Sequence, residues 1–249
     1  MQGQRNRQAE SGDQTKDAFL KAQAERGLSV TVLICTLNEE ESLPHVLPRI
    51  PNWVDEVLLV DGHSTDNTVE VAKQLRPGIR VLQQPGRGKG GALRHGITQA
   101  EGDIIVTLDA DGQTDPAELH LFVDAILRGY DFAKGTRFWR LFSKTRPIHR
   151  NIGNWIITLT FDLLFFRLYT DLCSGYNAFR KDAILKADLS CEDGLADEPL
   201  LHARVRKAEL RVKEVPHRDM PRIAGTSKAP SWRQGFGAIR TIVRERFRG

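Results

Sequence analysis

The chain has 249 residues, 40% of them hydrophobic and 27% charged, with a formal net charge of +4. That composition excludes a disordered, fibrous or collagen-like chain and supplies a core for one large α/β domain or two small ones. Cys35, Cys173 and Cys191 have no paired spacing, which argues against a disulfide or zinc framework and fits a reducing, cytoplasmic compartment.

Residues 1–27 open with "MQGQRNRQAESGDQTK", which is polar and lacks an apolar run. This predicts a disordered tail rather than a signal peptide or anchor. Alternation of strand and helix then begins. "SVTVLICT" reads as a strand, "EEESLPHVLPRI" as a helix start, and "DEVLLVDG" as a second strand. In "STDNTVEVAKQL" Ser64 or Thr65 can cap a helix whose inner face carries Val69, Ala72 and Leu75. "IRVLQQ" is a third strand, "GGALRHGITQA" a helix, and "GDIIVTLDA" a fourth strand. "DPAELHLFVDAILRGY" is an amphipathic helix with Pro116 near its first turn, and "YDFAKGTRF" a fifth strand. Short connections between such units imply right-handed crossovers and a mostly parallel sheet with helices on both faces. Further on, "WIITLTFDLLFFRL" (155–168) is too short to span a bilayer and is interrupted by Asp162, which fits a buried or interfacial helix. The domain is expected over 28–230, followed by a basic amphipathic helix over 231–249.

In open α/β sheets ligands bind beyond the carboxyl ends of the strands. The polar clusters "CTLNEE", "DGHSTD", "PGRGKGG", "DADGQ" and "GTRF" each follow one strand, so all five fall on one edge. Asp109 and Asp111 end the fourth strand and project to the same side. At about 5 Å and an effective dielectric of about 20 they repel by roughly 3 kcal/mol, so a cation should sit between them. With Gln113 close by and no histidine in the cluster, Mg²⁺ or Mn²⁺ bridging to substrate phosphates suits these ligands better than zinc. A strand-ending turn is the plainer reading of the same residues. Lys89 and Gly90 at a helix start offer backbone N–H groups and a cation to a phosphate, although the glycine spacing is neither a P-loop nor a dinucleotide fingerprint.

These stretches resemble, in order, the motifs of the family 2 glycosyltransferases of GT-A fold, and among them the dolichyl- and polyprenyl-phosphate sugar transferases. The matching blocks are "CTLNEEESL", "VDGHSTDNT", "GKGGALRHG", "DADGQTDP", "GTRF", "DLCSGYNAFRK" and "RIAGTSK". Cys35 stands where the family usually has Pro, and "DGH" replaces "DDG". The resemblance implies an inverting, metal-dependent transfer of a sugar from a nucleotide diphosphosugar, GDP-mannose or a UDP-hexose, to a polyprenyl or dolichyl phosphate. It implies a metal at Asp109, Asp111 and Gln113. The implied donor site comprises Thr36, Leu37, Asn38, Glu39, Asp61, Lys89, Gly90, Arg94, Asp109, Ala110 and Asp111. Arg137 is expected on phosphate, and Asp171 and Glu198 on the acceptor side, where a hydroxyl acceptor needs a general base and a lipid phosphate needs none.

Two alternatives stay open: a family 2 transferase acting on a soluble or glycan hydroxyl, and a nucleotide-sugar-binding protein without turnover. Nucleic acid is not an expected partner, because the basic residues lack interleaved aromatics. Lys144, Arg146 and Arg150 precede the apolar helix, and Arg233, Arg240, Arg244, Arg246 and Arg248 face a single Glu245 near the C-terminus. These charges fit solvated surfaces or a lipid-phosphate acceptor with peripheral contact at the cytoplasmic membrane face.

Overall fold

The structure is a computed structural model that describes residues 27–137, 148–189, 197–224 and 231–248. The expected tail, Lys144, Arg146, Cys191 and the "GTSK" part of the last motif lie outside the described residues. Five strands follow the sequence reading: β1 (Val30–Thr36), β2 (Glu56–Asp61), β3 (Arg80–Gln83), β4 (Ile104–Asp109) and β5 (Phe132–Thr136). Helices α1 (Leu43–Val46), α2 (Thr68–Leu75), α3 (Lys89–Gln99) and α4 (Leu119–Leu127) alternate with them.

The central strands are apolar throughout because both faces of the sheet are covered. Val32 and Ile34 of β1 and Val106 and Leu108 of β4 enter one core with Phe122 of α4. Leu33 and Ile105 point into the other, with Ala92 and Ile97 of α3. Period-2 alternation thus divides the strands between two cores rather than between core and water.

Two strands went unread. β6 (Asn177–Arg180) and β7 (Val212–Pro216) complete a seven-stranded sheet of order β3-β2-β1-β4-β6-β5-β7. β6 runs antiparallel between β4 and β5, and the other pairings are parallel. β6 is four residues long and sits inside a motif-bearing segment, so neither length nor alternation marks it. Its place is fixed across the strands, where Phe179 lies opposite Phe132 with ring centroids 5.5 Å apart. Strand order reverses between β1 and β4, and their carboxyl ends open a crevice there.

The start of α2 differs from expectation. Asn67 is the N-cap and makes no side-chain cap bond. Ser64 is drawn instead to Asp61, and Asp66 Oδ1 accepts the Thr68 N–H at 3.1 Å. The helix starts later than a Ser64 or Thr65 cap would set it, so its inner face carries Thr68, Val71 and Ala72, while Leu75 is exposed.

Helix α5 (Ile148–Phe165) buries polar residues together with apolar ones and exposes a further row of large apolar side chains. Asn151, Asn154 and Thr158 are buried beside Ile157, Phe161 and Phe165. Ile148, Ile152, Trp155, Ile156, Leu159 and Leu163 are exposed, Trp155 to 61% and Leu163 to 67%. After the short α6 (Lys181–Ile184) come α7 (Asp197–Lys207) and α8 (Ser231–Phe247), and α8 packs on α5 and α7. Ala238 and Ile242 of α8 join Ile157, Phe161 and Leu172 in a third core. Glu245 is fully buried, 2.7 Å from the largely buried Arg204 of α7, which pins the helix. Phe236 and Phe247 of α8 remain exposed. Among the described residues no helix is long and apolar enough to cross a membrane.

Candidate active site

β4 stops at Asp109, and Asp111 is reached through a turn in which Gly112 takes φ +76°. Asp111 is buried, and that burial, reinforced by the charge of Asp109, raises its pKa above the ordinary carboxylate value. Each aspartate is paired with its own cationic side chain, and neither cation bridges the two. Lys89, the first residue of α3, places Nζ 2.9 Å from Asp109 Oδ1 and 2.7 Å from Glu198 Oε1. Arg222 places Nη2 2.8 Å from Asp111 Oδ2 and Nη1 3.7 Å from Glu39 Oε1. Gly175 lies against this group, since a Cβ there would stand 2.6 Å from Asp109 Oδ2 and 3.1 Å from Glu198 Oε1. The structure therefore joins Glu39, Lys89, Asp109, Asp111 and Glu198 from the sequence reading. It adds Arg222, whose only sequence signal was the start of the "RIAGTSK" block.

Asp109 and Asp111 offer carboxylate oxygens of the kind Mg²⁺ and Mn²⁺ take together with phosphate oxygens and water, while among the described residues no group of three or more His, Cys, Asp or Glu gathers as a closed metal site. The buried, charge-deficient Asp111 fits such an ion. Gln113 is itself fixed to the turn, its N–H donating to Asp111 Oδ1 at 3.0 Å.

The other side of the crevice is built by loops after β1 and β2. Asn38, in the left-handed region at φ 51°, accepts the Thr65 N–H on Oδ1 at 2.7 Å and donates its own N–H to Ser64 Oγ. Asp61 is buried at the end of β2 and accepts from the Ser64 N–H and hydroxyl. Thr36 is buried, Leu37 is exposed at the crevice edge, and Ala110 is buried in the turn between the carboxylates. Gly90 begins α3 beside Lys89. Leu93 lines the crevice one turn on from Lys89, and Arg94 follows it on α3, about 140° round the helix axis from Lys89.

Two expectations need correction. Asp171 is fully buried and accepts five hydrogen bonds: from Arg137 N, Nε and Nη2, from Asn154 Nδ2 and from Cys173 N, at 2.6 to 3.1 Å. Burial alone would raise its pKa, but the Arg137 guanidinium outweighs burial and holds the carboxyl far below its usual range. A carboxylate so saturated does not serve as a general base; it is an anchor. Arg137 in turn is buried with Nε and Nη2 committed to Asp171, so it is a structural partner before it is a phosphate ligand. Sequence spacing brought both residues to this edge but could not show that they satisfy each other.

Residues 31–187 match the model for Glycosyl transferase family 2. Glycosyltransferase AglJ of Haloferax volcanii is 30% identical over 203 residues, which cover 80% of this chain and 65% of that protein. The dolichyl-phosphate hexose transferase of the same organism is 28% identical over 86% of this chain and 92% of its own length. Among solved structures, glucosyl-3-phosphoglycerate synthase from Mycobacterium tuberculosis, in complex with Mn²⁺, UDP and phosphoglyceric acid, superposes with a TM-score of 0.69. That match covers 93% of this chain and 82% of the other at 19% identity, a likeness of fold. The expected GT-A sheet is thereby borne out, and the chain is a transferase that belongs to family 2 of the glycosyl transferases.

Proposed function

We propose that the protein transfers a hexose, with inversion, from a nucleotide diphosphosugar to a polyprenyl or dolichyl phosphate, using a divalent cation. The observation that carries the acceptor is the exposed apolar face of α5 with Phe236 and Phe247 of α8. A soluble domain does not ordinarily leave so many large apolar side chains on adjoining helices in water. The buried side of α5 leads to the crevice through named contacts. Asn154 holds Asp171, Asp171 holds the Cys173 N–H, and two residues on Gly175 touches Asp109 and Glu198. In this reading a lipid chain lies on the exposed face of α5 with its phosphate at the carboxylates. The relative named dolichyl-phosphate hexose transferase supports the same class of acceptor.

In this reading the nucleoside lies over Thr36, Leu37, Asn38, Glu39 and Asp61. The diphosphate lies between the N-terminus of α3, where backbone N–H groups and Lys89 favour anions, and the Asp109–Asp111 turn. Asp109 and Asp111, with Gln113, would hold Mg²⁺ or Mn²⁺, which when bound stabilises negative charge on the departing diphosphate. The acceptor phosphate is already anionic, so no side chain need take its proton. That suits a site in which Asp171 is withdrawn and Glu198 is paired with Lys89. A hydroxyl acceptor is the second reading, favoured by the position of Glu198 beside Asp109, where it could take a proton. Contact with the membrane is peripheral, through the α5 and α8 face and the arginines of α8.

Nucleotide release from a panel of GDP- and UDP-sugars with Mn²⁺, with and without a short polyprenyl phosphate, tests the proposal. Release should depend on the lipid phosphate and stop in EDTA. The protein should also co-sediment with anionic vesicles, less so at 1 M salt, where the Debye length falls to about 3 Å. Transfer to a water-soluble hydroxyl acceptor together with no vesicle binding at any salt would overturn the lipid-phosphate reading.

A further inference from the structure

The segment after β7 is laid along the carboxylate turn and held at several points. His217 N donates to Thr136 O at 3.0 Å, and its ring pairs with Ser174 Oγ and Arg218 O. Arg218 N donates to Glu118 Oε2, Met220 N to Gln113 O at 2.9 Å, and Ile223 N to Asp111 O at 3.2 Å. Ile223 packs so closely over Gly112 that a Cβ there would stand 2.2 Å from its Cδ1. The strap 217–223 thus covers the turn that carries Asp111, and it reaches the carboxylates through the guanidinium of Arg222.

We propose that Arg222 is a built-in substitute for the divalent cation, so that metal and guanidinium compete for Asp111. This rests on the reading that Asp109 and Asp111 take a divalent ion. Without a cation, Glu39 and Asp111 would face one another as uncompensated carboxylates in a partly buried crevice. Arg222 bridges them and supplies the missing charge. An ion that enters meets this positive charge on the oxygen it needs, Asp111 Oδ2, and must displace it. Once displaced, the guanidinium carries five N–H donors and no acceptor, so its natural new partner is an anion such as the diphosphate. Metal then binds weakly to the empty protein and strongly together with a nucleoside diphosphate, which orders the two events.

Mn²⁺ binding to the full chain, followed by the electron paramagnetic resonance of the free ion without nucleotide, tests this. Arg222→Met should bind Mn²⁺ about tenfold more tightly than wild type, the size of one lost charge-assisted hydrogen bond. Ile223→Ala, which loosens the strap and keeps the charge, should tighten binding in the same direction by a smaller factor. A residue that merely buttressed Asp111 would give weaker binding on removal. Equal or weaker binding in both variants, with Asp111→Asn abolishing binding in the same assay, overturns the competition and leaves the metal reading intact. Failure of wild type and both variants to bind Mn²⁺ at millimolar concentration overturns both.

Discussion

His217 makes the stability of this protein depend on pH in a direction and size that the structure specifies. The ring is buried beneath Tyr176 and Phe122, with centroids 5.4 and 6.2 Å away, and it joins Ser174 to the strap. Burial lowers its pKa from the ordinary 6.5 to about 4. The folded state therefore keeps the imidazole neutral while the unfolded chain takes up a proton below pH 6.5. Stability from this group is complete above pH 6.5 and is lost as pH falls toward 4, by about 3 kcal/mol over the whole window and about 2.5 kcal/mol at pH 4.5. His202 is buried as well, with its pKa pushed below 6.5 by burial and then by Lys134, so it bends the wild-type curve in the same sense. The contribution of His217 is isolated by His217→Gln, which retains an acceptor near the Ser174 hydroxyl and cannot titrate. Urea denaturation of both proteins at pH 7.5 and 4.5 gives two losses of stability. The wild-type loss should exceed that of the variant by about 2 to 3 kcal/mol. Equal losses would refute the assignment, because a structural role alone shifts both points of the variant together.

Asp171→Asn leaves the Arg137 guanidinium buried without its counter-charge, and denaturation should show a loss of about 3 to 5 kcal/mol; a loss under about 1 kcal/mol would show that the pair is not the anchor described here. Leu159→Glu with Leu163→Glu changes two exposed positions, so the melting temperature should hold while affinity for anionic vesicles falls at least about tenfold, each buried leucine contributing about 1.5 kcal/mol or more. Unchanged vesicle affinity would remove α5 from the membrane-facing surface.

Strands β1, β2 and β4 were legible as short apolar runs bounded by turn residues, a signal strong in a sheet buried on both sides, and β3 and β5 by their place in the strand–helix alternation. β6 and β7 were not. "NAFR" and "VKEVP" carry too few apolar residues to stand out, and their positions are set by neighbours distant in sequence, such as Phe132 across from Phe179. The convergence of Glu39, Asp61, Lys89, Asp109 and Asp111 on one edge was legible for a topological reason: in a parallel sheet every strand delivers its end to the same side. What a sequence does not contain is which charged groups meet. Asp171 and Arg137 look like two separate functional residues until the fold closes them on each other. Arg222 looks like the first letter of a late motif until the strap carries it to a turn 111 residues earlier. The apolar run of α5 was visible, but its division was not, since outward placement of Trp155 and Leu163 depends on the polar residues Asn151, Asn154 and Thr158 finding buried partners. Asn154 finds Asp171, and Thr158 Oγ1 accepts the Leu172 N–H.

Charge in the crevice gives a reason for that arrangement. The side chains joined by the ion pairs are four carboxylates, Glu39, Asp109, Asp111 and Glu198, and two cations, Lys89 and Arg222. Each cation is shared between two carboxylates, so this group of six side chains carries a net charge of −2. The sequence argument found a repulsion between two aspartates and asked for one cation. The folded chain gives each aspartate its own cationic partner, and Asp111, the most buried of the four, has its pKa raised first by burial and then by the charge of Asp109. A divalent ion would balance the net charge of this group without displacing Lys89. If it also displaces Arg222, the site gains two charges and frees one, and the freed charge is available to an anionic donor at the moment the metal is seated. A carboxylate cluster compensated in full by its own side chains would have no such use for a metal, and one left bare would strain the fold when empty. Partial compensation by a displaceable arginine meets both conditions.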